Sequence, residues 1–310
     1  MLNKARAKAG MKKILDGLYL INLDQPIKWF KDFISAWLLQ KNGLNILVDP
    51  GPSSTILHLC SALKKHGVQR IDLILLTHIH LDHAGGSGLL LKKFPETRVI
   101  CHPKAIKHMV NPEKLWASSL QVLGNLAEAY GPVTPVPQTN LAFNNTIQLQ
   151  NLTIEAIETP GHAAHHLVYK IDDLLFMGEV AGVNVPVVNG SYLRIATPPV
   201  FKYEIYKDSL LKAAALNCRH LCFGHYGYRN DPQLVFKQAL NQLEIWMDII
   251  EQQLKNGITD EDKILDLLLQ KDPAIQAFSQ LAPDIQEREH HFSKNSIKGI
   301  MEYLKEIQAT

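Results

Sequence analysis

Three histidines and an aspartate fall within six positions, at His78, His80, Asp82 and His83. Neutral imidazoles and carboxylates are the donors that first-row divalent metals take up. So many titratable groups do not enter a protein core unpaired. The chemistry they offer is metal-assisted: a bound ion acidifies a water and polarises a carbonyl or phosphoryl oxygen. Residues of the same types recur downstream. Thr159-Pro160-Gly161-His162 is followed by His165 and His166, Glu179 follows Gly178, and His225 sits in Gly224-His225-Tyr226-Gly227.

The elements around these residues read as strand ends and turns. Ile71 to Leu76 is an apolar run apart from Asp72, and reads as a buried strand. Period-two alternation beyond it points His78 and His80 to one side and Ile79 to the other. The turn through Leu81 then carries Asp82 and His83 around to face them, with Gly85 and Gly86 expected to take unusual backbone dihedrals. Upstream, strands are expected over 18–23, 33–40 and 45–48, the last ending at Asp49-Pro50-Gly51. A helix follows with Ser53 or Ser54 as its cap. Asp49 reads equally well as a turn former and as a hydrogen-bond partner for a ligand imidazole. Strand–helix–strand order with the motif at a strand's carboxyl end is where open α/β sheets place their sites.

Residues 103–130 read as helical, with Trp116, Leu120, Leu123 and Leu126 as an apolar stripe that either packs in the core or walls a substrate pocket. Strands are expected again at 146–149, 153–158, 167–171, 174–177 and 220–223, with Asp172-Asp173 as a hairpin turn and a long loop after Glu179. Tyr192 and Arg194 in that loop are candidates to meet an anionic group, more readily packing than catalytic. From Pro232 only helices are expected: 235–254, one capped by Thr259, and 296–307. His102 and His108 read as solvated. Cys218 and Cys222 read as packing residues, and the four scattered cysteines as reduced thiols.

The 310 residues carry a formal charge of +2, 46% hydrophobic and 20% charged residues. That composition is ordinary for a globular protein, and gives no reason to expect nucleic acid or an anionic membrane as partner. Met1 to Lys13 is basic, and Asp16-Gly17 interrupts the apolar stretch behind it, so a cytoplasmic protein is expected rather than an exported one. The expected division is a basic tail over 1–13, a main domain over 14–230 and a helical C-terminal extension over 231–310.

His78-x-His80-x-Asp82-His83, then His162, Glu179 and His225, each at a strand end and in this order, resembles the metallo-β-lactamase superfamily over roughly residues 14–230. The resemblance implies an α/β fold, a four-layer αββα sandwich, with a binuclear metal site. His78, His80 and His162 would hold the first metal, Asp82, His83 and His225 the second, and Glu179 would bridge. His166, four after His162, would support a ligand. The superfamily usually bridges with aspartate, so glutamate here is a departure. A Gly-Glu pair, Thr197-Pro198-Pro199 and a helical extension are similar to one branch of uncharacterised members. The implied cofactors are two divalent ions, zinc first, with manganese or iron as alternatives. The implied activity is hydrolysis of a small ester, thioester, lactone or phosphoester by a metal-bridging hydroxide, similar to glyoxalase II. Asp82 would ligate and orient or shuttle the water's proton. Tyr226 is a candidate from its place directly after His225, its hydroxyl available to polarise a substrate oxygen, but like Tyr192 and Arg194 it reads more readily as packing or surface than as catalytic. A mononuclear iron dioxygenase of the persulfide type and a metal-dependent nuclease are the alternatives within the fold. The expected partner is a small molecule, with no nucleic acid or membrane. The C-terminal helices offer a homodimer face.

Overall fold

The structure, a computed structural model, describes residues 10–25, 27–188 and 190–308. Two compact units divide at Leu152/Thr153.

The first unit is built on a seven-stranded sheet in sequence order. Its strands are β1 (Met11–Leu15), β2 (Leu18–Asn22), β3 (Ser35–Lys41), β4 (Leu44–Val48), β5 (Leu73–Leu75), β6 (Arg98–Ile100) and β7 (Leu141–Ala142). β1 starts inside the stretch expected as a tail. The rest of that tail, residues 1–9, lies outside the described residues. β1 to β4 form an antiparallel meander, and β4 to β7 run parallel. β5 is central and fully buried, its Ile74 in register with Leu47 of β4 and Val99 of β6. A parallel strand covered on both faces must be apolar throughout, which explains the run that marks it in the sequence.

Helix α1 (Ile56–Lys65) follows a 3-10 turn over Ser53–Thr55. The serines do not cap it. Ser53 Oγ instead donates to the carbonyls of Gly85 and Pro132, and Ser54 Oγ to Gln25 Oε1. The short helices α2 (Leu81–Ala84) and α3 (Ser87–Leu91) carry the chain away from β5. Three more, α4 (Pro103–Val110), α5 (Glu113–Leu123) and α6 (Asn125–Tyr130), follow β6, and α6 packs on α2. His102 is buried and caps α4, accepting from Lys104 N at 3.1 Å, so it is not the solvated residue expected. α5 buries no residue completely, so the Trp116 stripe is half-exposed rather than core. β8 (Thr146–Leu149) ends the unit.

In the second unit, β9 (Leu152–Glu158), β10 (Leu167–Ile171), β11 (Leu174–Gly178), β14 (His220–Phe223) and β15 (Tyr228–Arg229) form a sheet ordered β15-β14-β11-β10-β9. β11 and β14 are parallel neighbours and the other pairs are antiparallel. The stretch expected as a long loop holds a hairpin, β12 (Val183–Val187) and β13 (Gly190–Arg194). Helix α7 (Tyr203–Ala214) precedes β14, and α8 (Pro232–Lys255), α9 (Glu261–Lys271) and α10 (Pro283–Gln308) complete the unit. Asp260, not Thr259, caps α9, accepting from Asp262 N and Lys263 N. α8 and α10 pack against one another, and α8 against β13. None of the described helices is long and apolar enough to cross a membrane.

Candidate metal centre

In the first unit the motif leaves the carboxyl end of β5. Backbone bonds from Asp49 N to Leu75 O (3.0 Å) and from Leu76 N to Ile100 O (2.9 Å) extend the parallel ladder up to it. Asp49, buried and in the left-handed region at φ 49°, is the organising residue. Its Oδ1 accepts from Thr77 N at 2.8 Å. Its Oδ2 accepts from Thr77 Oγ1 at 2.6 Å and lies 3.1 Å from His83 Nδ1.

These bonds determine the imidazole tautomers. Thr77 Oγ1 spends its hydrogen on Asp49, so at 3.1 Å it accepts from His78 Nδ1. His83 Nδ1 donates to Asp49. The Nε2 lone pairs of both rings are left for an electrophile. His78 Nε2 lies 3.0 Å from His80 Nδ1, and His83 Nε2 lies 3.7 Å from Asp82 Oδ2. His78 and His80 share a side and Ile79 is buried, as alternation predicts.

Gly85 and Gly86 depart from expectation, since both are right-handed helical. Glycine at position 86 answers a need for space: a Cβ there would meet Ile56 Cδ1 at 2.3 Å and Gly51 O at 3.0 Å. That close approach lets Gly86 N bond Gly51 O (2.8 Å) and Gly51 N bond His83 O (3.0 Å), tying the Asp49 turn to α2.

In the second unit, three strand ends supply the candidates. Gly178, at φ 51°, ends β11, and Gly224 directly follows β14 beside it, with Gly224 N donating to Gly178 O at 2.9 Å. A Cβ on Gly224 would lie 3.0–3.1 Å from the Gly178 backbone. Two glycines thus let parallel strands touch, and the next residue of each, Glu179 and His225, meets the other. His225 Nε2 lies 3.4 Å from Glu179 Oε1, and His162 Nε2 lies 2.9 Å from Oε2. Burial acts to raise the Glu179 pKa, but the two imidazoles outweigh it and hold the carboxyl well below its ordinary range. A carboxylate with an imidazole nitrogen near each oxygen is a donor set of the types divalent metals take, so these residues fit a metal ion.

His166 has both ring nitrogens engaged. Glu179 N donates to its Nε2 at 3.0 Å, so its Nδ1 donates to Thr159 Oγ1 at 2.9 Å. The ring locks the His162 turn to the Glu179 backbone and is a support, not a ligand. His162 Nδ1 donates to the carbonyl of Ala196 at 3.1 Å. Tyr226 is half-buried in the tight turn after His225, where Phe223 N bonds Gly227 O at 3.1 Å.

Tyr192 and Arg194 do not serve as substrate contacts. Both are buried, Arg194 Nε pairs with Glu289 Oε2 at 2.7 Å, and Tyr192 Oη lies 3.5 Å from Ser293 Oγ. Cys218 and Cys222 are buried free thiols, as expected of packing residues. Two participants were not foreseen. Thr77 is marked in the sequence only by preceding His78. Ala196 acts through its backbone carbonyl 34 residues from His162, for which no sequence signal exists.

Known proteins place this arrangement. The chain matches the metallo-β-lactamase superfamily over residues 29–225, more than half its length. It is 28% identical over 230 residues to a metallo-β-lactamase fold-containing protein of Sulfurisphaera tokodaii, covering 71% of this chain and 84% of that one. A hydroxyacylglutathione hydrolase of Aeromonas salmonicida is 29% identical over 147 residues, and the match spans 46% of this chain and 44% of the hydrolase. Among solved structures, an archaeal metallo-β-lactamase superfamily protein from Sulfolobus tokodaii superposes with a TM-score of 0.69 at 25% identity, over 92% of this chain and 98% of that one. A metallo-β-lactamase family protein from Thermus thermophilus superposes with a TM-score of 0.68 at 22% identity, over 96% of each chain, and shares the fold. Proteins of this mixed α/β fold generally bind divalent metals and are mostly hydrolases. With the family match running through the strand ends of both units, the chain belongs to the metallo-β-lactamase superfamily.

Proposed function

We propose that the protein is a hydrolase that holds two divalent ions, zinc foremost, and cleaves a small thioester, with ester, lactone and phosphoester substrates as the wider class. On this reading His78, His80 and His162 hold the first ion, Asp82, His83 and His225 the second, and Glu179 bridges. The single observation that carries it is the Glu179 carboxylate, with His162 Nε2 at one oxygen and His225 Nε2 at the other. The thioester preference rests on the likeness to hydroxyacylglutathione hydrolases, of whose length the chain spans less than half.

Divalent ions held by these residues would supply Lewis-acid chemistry, lowering the pKa of a water and polarising a substrate oxygen. The chain's own residues then have separate tasks. Asp49 and Thr77 keep the Nε2 lone pairs of His83 and His78 exposed by occupying their Nδ1 protons. Asp82 orients the water and takes its proton. The Tyr226 hydroxyl polarises the substrate oxygen.

The test is a hydrolysis screen of zinc- and manganese-loaded protein against S-acyl glutathione thioesters, acyl lactones and phosphodiesters. Thioester turnover lost in Glu179→Ala supports the proposal. Turnover that survives Glu179→Ala, or metal-loaded protein inert toward every class, defeats it.

A further inference from the structure

The Ala196 carbonyl that receives His162 Nδ1 belongs to a five-residue segment, 193–197, with an unusual distribution of hydrogen bonds. Leu193 N donates to Ala274 O at 2.9 Å, and Leu193 O accepts from Gln242 Nε2 at 2.9 Å. The Arg194 side chain is held by Glu289 at 2.7 Å. Ile195 N donates to Gln242 Oε1 at 2.6 Å, and Ile195 O accepts from Ser296 Oγ at 3.1 Å. Thr197 N donates to Ser296 Oγ at 3.3 Å, and Thr197 Oγ1 to Ser296 O at 3.2 Å. All of these partners come from α8, α10 and the stretch after α9. Gly299 permits the approach of α10, because a Cβ there would lie 2.1 Å from Thr197 O. Gln242 is anchored in turn by Asp272, which also accepts from Trp246 Nε1 at 2.7 Å. Leu193, Ile195 and Thr197 are thus held by the C-terminal helices, while the Ala196 carbonyl between them is directed at an imidazole.

We infer that the C-terminal helices are a positioning device for His162, with Gln242 and Ser296 clamping residues 193–197 so that the Ala196 carbonyl holds the ring's Nδ1 proton. The consequence for the site is direct. A fixed Nδ1–H bond sets the tautomer and aims Nε2, and losing such an outer partner typically weakens a metal site by about 10–100-fold. Gln242 and Ser296 touch neither substrate nor metal and act only through the segment. The inference rests on His162 being a metal ligand, as proposed above.

The experiment compares Ser296→Ala with Ser296→Thr, which keeps the hydroxyl, and with Ser293→Ala, one turn away on the same buried face of α10. Chelator competition gives the dissociation constant of the tightest zinc equivalent. Long-range proton–nitrogen NMR of histidine-labelled, zinc-loaded protein follows the His162 Nδ1 proton. Ser296→Ala is expected to bind zinc about tenfold more weakly and to exchange that proton faster, with the other two variants within about threefold of wild type. Unchanged affinity and exchange in folded Ser296→Ala overturns the inference. So does an equal loss in Ser293→Ala, which would be the mark of general loosening. If Ser296→Ala does not fold, wild type decides: slow exchange of the His162 Nδ1 proton supports the clamp and rapid exchange overturns it. A wild type that takes up no zinc defeats the metal reading itself, and is told apart from these outcomes by the first titration.

Discussion

Replacing Asp49 with asparagine changes one atom and removes one charge at the point where three donors converge. Asp49 accepts from Thr77 N at Oδ1 and from both Thr77 Oγ1 and His83 Nδ1 at Oδ2. An amide can satisfy the first with its oxygen, but it then turns NH2 toward the other two. Thr77 Oγ1 must rotate to accept, and His83 must move its proton to Nε2. Hydrogen bonds to a charged group contribute about 1.5–3 kcal/mol each, and such losses are not additive, so the destabilisation is expected to be about 2–4 kcal/mol. The metal-binding effect is separable from it. With the proton on Nε2, His83 can no longer present a lone pair there, so on the proposed two-ion reading the equivalent assigned to His83 should weaken by about 10–100-fold while the other is spared more. Denaturant titration of metal-free protein reads the stability loss, and chelator competition on zinc-loaded protein reads the two affinities separately. Equal denaturation midpoints, or two zinc affinities within about threefold of wild type, refute the role assigned to Asp49.

The buried Arg194–Glu289–Arg288 cluster makes a second prediction. Glu289→Gln leaves two buried guanidinium groups without their counter-charge and should cost about 3–5 kcal/mol, read by denaturant titration at pH 7. Burial raises the Glu289 pKa, but Arg194 and Arg288 outweigh it and hold the folded value below the ordinary one. Its stabilisation is therefore present above the unfolded carboxyl pKa and is lost as pH falls through the folded one, so the gap between wild type and variant should narrow below about pH 4. A gap that widens on acidification contradicts the assignment. Gly86→Ala should destabilise by about 1–3 kcal/mol through the clash with Ile56, and adding Ile56→Val should recover part of the loss. Zinc at one hundred times its dissociation constant should stabilise metal-loaded protein by about 2.7 kcal/mol over chelator-treated protein, seen as a raised thermal midpoint.

The candidate ligands were legible in the sequence because their types are costly in a core and their positions coincide with strand ends. His78 and His80 on one side of a strand end, and Glu179 and His225 each after a glycine, follow from period-two geometry and from the close contact that glycine permits. Residues acting through the backbone left no such trace. Ala196 offers only a carbonyl, and nothing in its side chain marks it. The β12–β13 hairpin was hidden because Pro186 interrupts the Val183-Asn184-Val185 alternation and argues against a strand there, although the two strands pair over five positions. α10 begins at Pro283, thirteen residues before the sequence suggested. Arg288 and Glu289 look like surface charges in isolation, and they are buried in one cluster in which Glu289 pairs with both Arg288 and Arg194. His102 and Thr259 failed for a related reason: a capping role depends on where the helix starts, and the adjacent residue competes for it.

On the proposed reading, the histidines and carboxylates at these strand ends hold divalent metal. Elemental analysis of wild type, His78→Ala and His162→Ala, each purified without added metal and then dialysed against zinc, tests it most directly. About two equivalents are expected in wild type, with a tight equivalent lost in each variant. A folded wild type holding no metal, or a tight equivalent that survives either substitution, contradicts it.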